Sequence, residues 1–155
     1  MKKSEKVIQI AFKEVGYTEN PANSNITKYG EWFGFNGVAW CAMFVSWCYA
    51  QAGCKLPNIG YSKGMAGCQT AVKYFKENNQ IVEIPQVGDI IFFDWNGDGR
   101  YDHTEIFNGF TSAKKTHMYT IGGNTSLTNQ SNGGSVMNRK RPVKCCIFVH
   151  PKVLD

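Results

Sequence analysis

Cys41 and His103 are the two residues whose types and surroundings could form a catalytic pair. Cys41 opens an apolar segment that reaches Gln51 with few helix breakers, so we predict a helix that begins at the cysteine. A helix N-terminus and a neighbouring imidazole are the two common features that lower the pKa of a thiol and produce the nucleophilic thiolate. His103 follows a polar loop and begins a predicted strand. The two residues therefore predict a cysteine nucleophile and its histidine base, brought together if the helix packs across the sheet.

A histidine that transfers protons usually needs a third polar group to hold its second ring nitrogen. Asn124 lies at the end of the strand predicted after that of His103, and we expect its amide to hold the ring. The sequence offers no comparable set of partner residues for His117 or His150, which favours surface or core roles for both.

The elements that must position these residues change in character along the chain. Helical patterns come first, at residues 4–15, 27–32, 41–51 and 67–78. Short β-branched or aromatic runs follow, at residues 81–84, 89–93, 104–108, 117–121, 135–138 and 145–149. Strands joined by such short turns must pair mainly antiparallel, because a parallel crossover needs about a dozen residues or more. We predict an α+β fold in which N-terminal helices pack on a mainly antiparallel sheet, with one domain over residues 1–155.

Composition excludes several classes of protein. The chain has 155 residues, of which 43% are hydrophobic and 14% aromatic, which is typical of a compact domain. It contains no apolar run long enough to cross a membrane, and Met1–Lys6 leads into an amphipathic pattern rather than a signal peptide, so we expect synthesis in a cytosol. The six cysteines lack zinc spacing, and we expect most to be buried free thiols. A net charge of +5 favours an anionic polymer as partner, but the sequence has no nucleic-acid recognition motif.

Three ordered blocks of sequence resemble the CHAP family, the cysteine, histidine-dependent amidohydrolases/peptidases. They are Trp40–Trp47, Gly88–Phe93 with Asp102–His103, and Thr120–Ser126. The resemblance extends over roughly residues 7–149. It implies a papain-like fold that cleaves amide bonds in peptidoglycan, often in phage lysins and bacterial autolysins. Carried over by position, Cys41 is similar to the nucleophile, His103 to the base and Asn124 to the polar residue beside it.

One position departs from that family pattern. Many members have a glutamate two residues before the asparagine, where this chain has Gly122. Such a glutamate would orient the histidinium and support its charge. We therefore expect Asn124 to hold the ring alone, as in papain-like Cys-His-Asn sites.

The loop before His103 matches a calcium-binding pattern. Residues 94–105 satisfy the EF-hand spacing in full, with Asp94, Asn96, Asp98 and Asp102 as oxygen ligands and Glu105 at the final position. Both flanks are predicted strands, however, so an ordinary Asn/Asp/Gly hairpin turn is the alternative. We expect no cofactor to be required and retain Ca²⁺ as the second interpretation of this loop.

Aromatic and amide residues upstream of the cysteine are candidates for substrate contact. Trp40 could line the cleft or fill the core, and Tyr29 could belong to a rim for glycan or peptide. Asn36 is a candidate donor for an oxyanion, together with the backbone N–H of Cys41.

These observations favour a monomeric peptidoglycan hydrolase, either an N-acetylmuramoyl-L-alanine amidase or an endopeptidase, that acts at the bacterial cell wall after release or delivery. Two alternatives use the same residues differently. One is a cysteine protease or acyltransferase that acts on proteins, and the other is a non-catalytic module that binds the wall. The sequence does not distinguish which bond of peptidoglycan is cut, because the loops that shape the pocket decide it.

Overall fold

A computed structural model describes residues 1–155 and has the α+β architecture that the sequence predicts. The helices come first: α1 (Lys3–Lys13), α2 (Lys28–Phe33), α3 (Cys41–Gln51) and α4 (Cys68–Glu77). Six strands follow: β1 (Ile81–Val82), β2 (Ile90–Phe93), β3 (His103–Phe110), β4 (His117–Thr125), β5 (Ser135–Pro142) and β6 (Cys146–Val149). The predicted papain-like arrangement of helices packed on a sheet is confirmed.

The six strands form one sheet in the order β1-β6-β2-β3-β4-β5, and every neighbouring pair is antiparallel. Strands β3 and β4 lie side by side, with Ile106 opposite Ile121. None of the helices has the length and apolar character that a membrane span requires.

Helix α3 is the central helix of the fold. It packs against β3 and β4 and is buried on nearly every side, which explains why its sequence is apolar all round rather than amphipathic. Its two buried hydroxyls are both paired: that of Ser46 donates to the backbone oxygen of Met65, and that of Tyr49 to the backbone oxygen of Gly88. The helix ends at Gln51 with Ala52 as its C-cap, and Gly53 follows with a φ of 78°.

Both faces of the sheet are covered near its centre. The helix-facing side carries Ile90, Phe92 and Ile106, while a smaller cluster on the opposite side contains Ile91, Phe93 and Phe107. All four residues of β2 are therefore buried, which explains its unbroken apolar sequence.

Helix α1 begins at Lys3, one residue before the start of the helical pattern in the sequence. The helix is capped at Lys2, whose backbone N–H donates to Glu5 Oε2 over 3.0 Å. Ser4 packs against the backbone of Gly88, where a Cβ would lie only 2.7 Å from the Ser4 carbonyl oxygen. The glycine permits this close approach between helix and sheet. All six cysteines are free thiols, but only half of them are buried as expected, namely Cys41, Cys48 and Cys54.

Candidate active site

Cys41 is the first residue of α3. The residue before it, Trp40, is held in place by the contacts of its own buried side chain. The indole Nε1 of Trp40 donates to Glu19 Oε2 over 3.1 Å, and its ring stacks on Tyr29 at a centroid distance of 5.5 Å. The Tyr29 hydroxyl in turn donates to Glu14 Oε1 over 2.7 Å. Both rings are fully buried. The prediction that Trp40 and Tyr29 contact substrate is therefore wrong, and the two residues instead fix the start of the cysteine helix.

Asn36 is exposed and serves the neighbouring helix. Its Oδ1 accepts the backbone N–H of Thr27 over 3.1 Å and lies against Gly30, where a Cβ could not fit. These contacts fix the turn around α2, and a role for Asn36 as an oxyanion donor stays a prediction.

His103 begins β3 and its ring is completely buried. The backbone pairs with Phe93, and the ring lies nearly parallel to those of Phe93 and Trp95 at centroid distances of 6.2 Å and 6.4 Å. Ring nitrogen Nε2 lies 2.9 Å from Glu105 Oε2. Nitrogen Nδ1 is buried without a nitrogen or oxygen partner, so it is the one left for the Cys41 thiol.

Glu105 is the buried acid of the site, and every contact of its carboxylate is with a donor. Arg141 donates to it twice, from Nε over 2.6 Å and from Nη2 over 2.9 Å, in the bidentate geometry typical of strong Arg-carboxylate pairs. The Thr120 hydroxyl donates over 2.7 Å. Arg141 is itself 3% exposed and lies over the rings of Phe93 and Trp95. The ring of His103 is thus held by a carboxylate that is itself held by a buried guanidinium.

Asn124 does not take the place that the sequence predicted for it. Its Oδ1 accepts the backbone N–H of Gly134 over 3.1 Å, and its Nδ2 donates to Asn132 Oδ1 over 3.0 Å. The buried amide therefore joins the end of β4 to the loop that follows. The expectation that Asn124 alone holds the ring is corrected: Glu105 occupies the second ring nitrogen.

The charges of these groups support one another. The hydrogen bond from the Cys68 thiol, with His103 and the Thr104 backbone N–H, holds the pKa of Cys41 well below its usual range, although burial opposes this. Burial lowers the pKa of His103, but Cys41 and Glu105 outweigh it and raise that pKa to about 9. Burial raises the pKa of Glu105, but His103 and Arg141 lower it to about 2.

Near neutral pH the site therefore holds a thiolate, an imidazolium, a carboxylate and a guanidinium in alternating sign. Cys41 is buried, with 5% of its surface exposed. This arrangement can attack an electrophilic carbon at the thiolate and deliver a proton from the imidazolium.

The loop before His103 has the contacts of a turn. Asp94 Oδ2 accepts the N–H of Gly99, Asp98 Oδ1 accepts that of Arg100, and Asp102 Oδ2 accepts that of Trp95. No group of three or more acidic, histidine or cysteine side chains converges there as metal ligands do, and Glu105 points into the active site instead. Asp94 Oδ1 is buried without a partner, but one oxygen does not make a calcium site.

The side chains of Asp94, Asn96, Asp98 and Asp102 thus have the contacts of the alternative, a hydrogen-bonded loop, and calcium binding there stays a prediction. Asn96 follows the same pattern, since its Oδ1 accepts the N–H of Asp98 over 3.4 Å. Asp102 nevertheless closes the loop directly before His103 and so helps to place the histidine.

Three residues at the site were missed by the sequence analysis. Glu105 carried a usable signal, since it lies two residues after His103 in a strand and must share its face. Arg141 stood in a basic segment with the pattern of solvated charge, and Cys68 opens another helix. Neither gives a local signal.

The other two histidines lie elsewhere, as expected: His117 is exposed, and His150 lies between Asp89 and Asp155.

Comparison with known families gives one match. The family model described as CHAP domain matches residues 33–124, a range that contains the cysteine, the histidine and the buried glutamate. A comparison with curated proteins finds no match.

Proposed function

Because this chain belongs to the CHAP family, whose members are generally amidases or peptidases, we propose that it hydrolyses an amide bond of bacterial peptidoglycan with Cys41 as nucleophile. The geometry that carries this proposal is that of His103, whose Nε2 lies 2.9 Å from Glu105 and whose buried Nδ1 is the nitrogen left for Cys41 at the start of α3.

The reaction proceeds through a thioester. The Cys41 thiolate attacks the carbonyl carbon, and the resulting oxyanion lies at the N-terminus of α3, where the Cys41 backbone N–H has no helical acceptor. His103 donates its proton to the leaving nitrogen as the C–N bond breaks. A water molecule then attacks the thioester, His103 takes a proton from it, and Cys41 leaves as the thiolate.

Two features favour a slender anionic substrate. The chain carries a net charge of +5, which attracts an anionic wall polymer. Cys41 is only 5% exposed, which suits an extended stem peptide better than a loop on a folded protein. The activity requires delivery to the wall, and fractionation of the producing cells would test this location.

Purified sacculi provide the decisive test. The protein should solubilise them, and the Cys41→Ala variant should not. Mass spectrometry of the products distinguishes the bonds: an amidase frees the lactyl group of the muramic acid, whereas an endopeptidase creates a new amino terminus within the peptide. Hydrolysis of casein but not sacculi would instead indicate a protein-directed enzyme, and binding to sacculi without soluble products would indicate a wall-binding module.

A further inference from the structure

Glu105 and Gly122 lie opposite each other on neighbouring strands and compete for one volume. The pairing of Ile106 with Ile121 makes them the next facing positions of β3 and β4. A Cβ built on Gly122 would lie 2.3 Å from Glu105 Oε2 and 2.4 Å from its Cγ, closer than real side chains approach. The glutamate therefore lies across bare backbone, and only a glycine at position 122 leaves room for it.

The same geometry shows what a longer side chain at position 122 could reach. The Cβ of such a residue would lie 2.6 Å from the carboxyl carbon of Glu105, a distance that the two bonds from Cβ to the carboxyl carbon of a glutamate span. A glutamate at position 122 could thus place its carboxylate where that of Glu105 now lies, provided that position 105 were vacated. His103, Arg141 and Thr120 would keep their acceptor.

We propose that Glu105 is the positioning acid of the active site and that Glu105 and Gly122 form an exchangeable pair, with the acid on one strand and the glycine on the other. This inference rests on the proposed function only where it concerns hydrolysis. Glu105 accepts a hydrogen bond from the Nε2–H of His103, which leaves Nδ1 directed to the thiol. Arg141 and Thr120 prevent the carboxylate from turning away.

The charges are consistent with this role. Glu105 is the acid in contact with the imidazolium, and both side chains are fully buried. Loss of its charge would lower the pKa of His103, and the weaker imidazolium would in turn stabilise the Cys41 thiolate less. The reactivity of the thiol against pH therefore reports on the acid without any wall substrate.

The test compares three variants with the wild type: Glu105→Gly, the exchange Glu105→Gly/Gly122→Glu, and the neutral control Glu105→Gly/Gly122→Gln. The rate at which iodoacetamide alkylates Cys41 is followed against pH by mass spectrometry of the Cys41 peptide. In Glu105→Gly, the pH at which the alkylation rate reaches half its maximum (the midpoint) should rise by about one pH unit or more. The exchange should return it toward the wild-type value, and the glutamine control, which restores volume without charge, should not.

Each contrary outcome overturns the proposal. An unchanged midpoint in Glu105→Gly would exclude a positioning role, and a folded exchange variant that keeps the shifted midpoint would exclude the exchange. An exchange variant that fails to fold counts against it too, since the proposal requires the second glutamate to fit.

If Glu105→Gly itself unfolds, the isosteric Glu105→Gln takes its place and should shift the midpoint in the same direction; no shift overturns the proposal. Because no wall substrate is used, failure of the wild type to digest sacculi would overturn the proposed function and leave this test intact.

Discussion

At the scale of single residues, the site depends on a carboxylate that follows the histidine by two positions. Cys41 and His103 could be singled out from the sequence because each stands at the start of an element with a strong pattern. The acid could not, because Glu105 also completed a calcium-loop spacing, and only the structure shows which way its side chain points. Asn124 had the residue type of a ring-holding group but is used by the next loop.

The buried pair of Arg141 and Glu105 should contribute strongly to folding. Arg141→Ala leaves a carboxylate with 0% exposure without its bidentate partner, and we expect a loss of about 3–5 kcal/mol in the free energy of unfolding. Urea denaturation measures this. Lys140→Ala, an exposed change one position earlier on β5, is the matched control and should stay within about 0.5 kcal/mol. Equal effects of the two variants would contradict a buried ion pair.

The ion pair of Cys41 and His103 also predicts the pH dependence of hydrolysis. Activity needs the thiolate and the protonated imidazole together. As pH rises, activity should therefore appear already below the ordinary pKa of a thiol, because the pKa of Cys41 is lowered. It should fall again as pH rises through about 9, where His103 loses its proton. Initial rates of sacculus digestion from pH 5 to 10 would show this. A rate that continues to rise above pH 10 would contradict the pair.

At the scale of elements, the end of β4 depends on an unusual backbone conformation. Asn124 has a φ of 56°, in the left-handed region that asparagine tolerates better than most residues. Its side chain also bonds the following loop at Asn132 and Gly134. The asparagine is thus used twice, for its backbone and for its amide.

Two substitutions at this position separate the backbone requirement from the hydrogen bonds. Asn124→Ala and Asn124→Gly both lose the amide, but only glycine adopts the positive φ without strain, so the alanine variant should be less stable by about 1–2 kcal/mol. Thermal and urea denaturation measure the difference. The exposed strand position Asn138 is the control. There the alanine variant should be more stable than the glycine variant, because glycine weakens an ordinary strand. An alanine variant as stable as the glycine variant at position 124 would show that the left-handed conformation is not retained.

The elements themselves were largely predictable. The helix at Cys41 and all six strands follow from local patterns, and short connections forced the antiparallel pairing. The contact of β3 with β5 residues across β4 could not be predicted, because the reach of Arg141 to Glu105 depends on register and on which residues share a face. Trp40 and Tyr29 were misassigned for a similar reason: an aromatic residue near a nucleophile has the same sequence signature whether it faces solvent or the core.

At the scale of the whole molecule, the buried charges make stability depend on pH from both sides. The pKa of Glu105 falls from 4.5 to about 2 on folding, so its contribution is complete above pH 4.5 and is lost as pH falls toward 2. The pKa of His103 rises from 6.5 to about 9, so its contribution is complete below pH 6.5 and is lost as pH rises through 9.

We therefore expect the free energy of unfolding to fall toward both acidic and alkaline pH, which gives its pH curve an acid limb and an alkaline limb. The acid limb should become shallower in Glu105→Gln, because the glutamine does not titrate. Urea denaturation at closely spaced pH values measures both slopes. The exposed Glu83→Gln is the control and should leave the acid limb as it is. A Glu105→Gln limb as steep as that of the wild type would mean that other carboxyl groups dominate acid unfolding.

The overlap between position 122 and the Glu105 side chain also restricts how this site can evolve. A protein with glycine at both positions would have a buried guanidinium without its counterion. A protein with glutamate at both would bury two like charges in a volume that holds one side chain. Each single step between the two arrangements is thus penalised, and the two sites are expected to change together. Related sequences should fall into two groups, distinguished by which strand supplies the acid, with few intermediates between them.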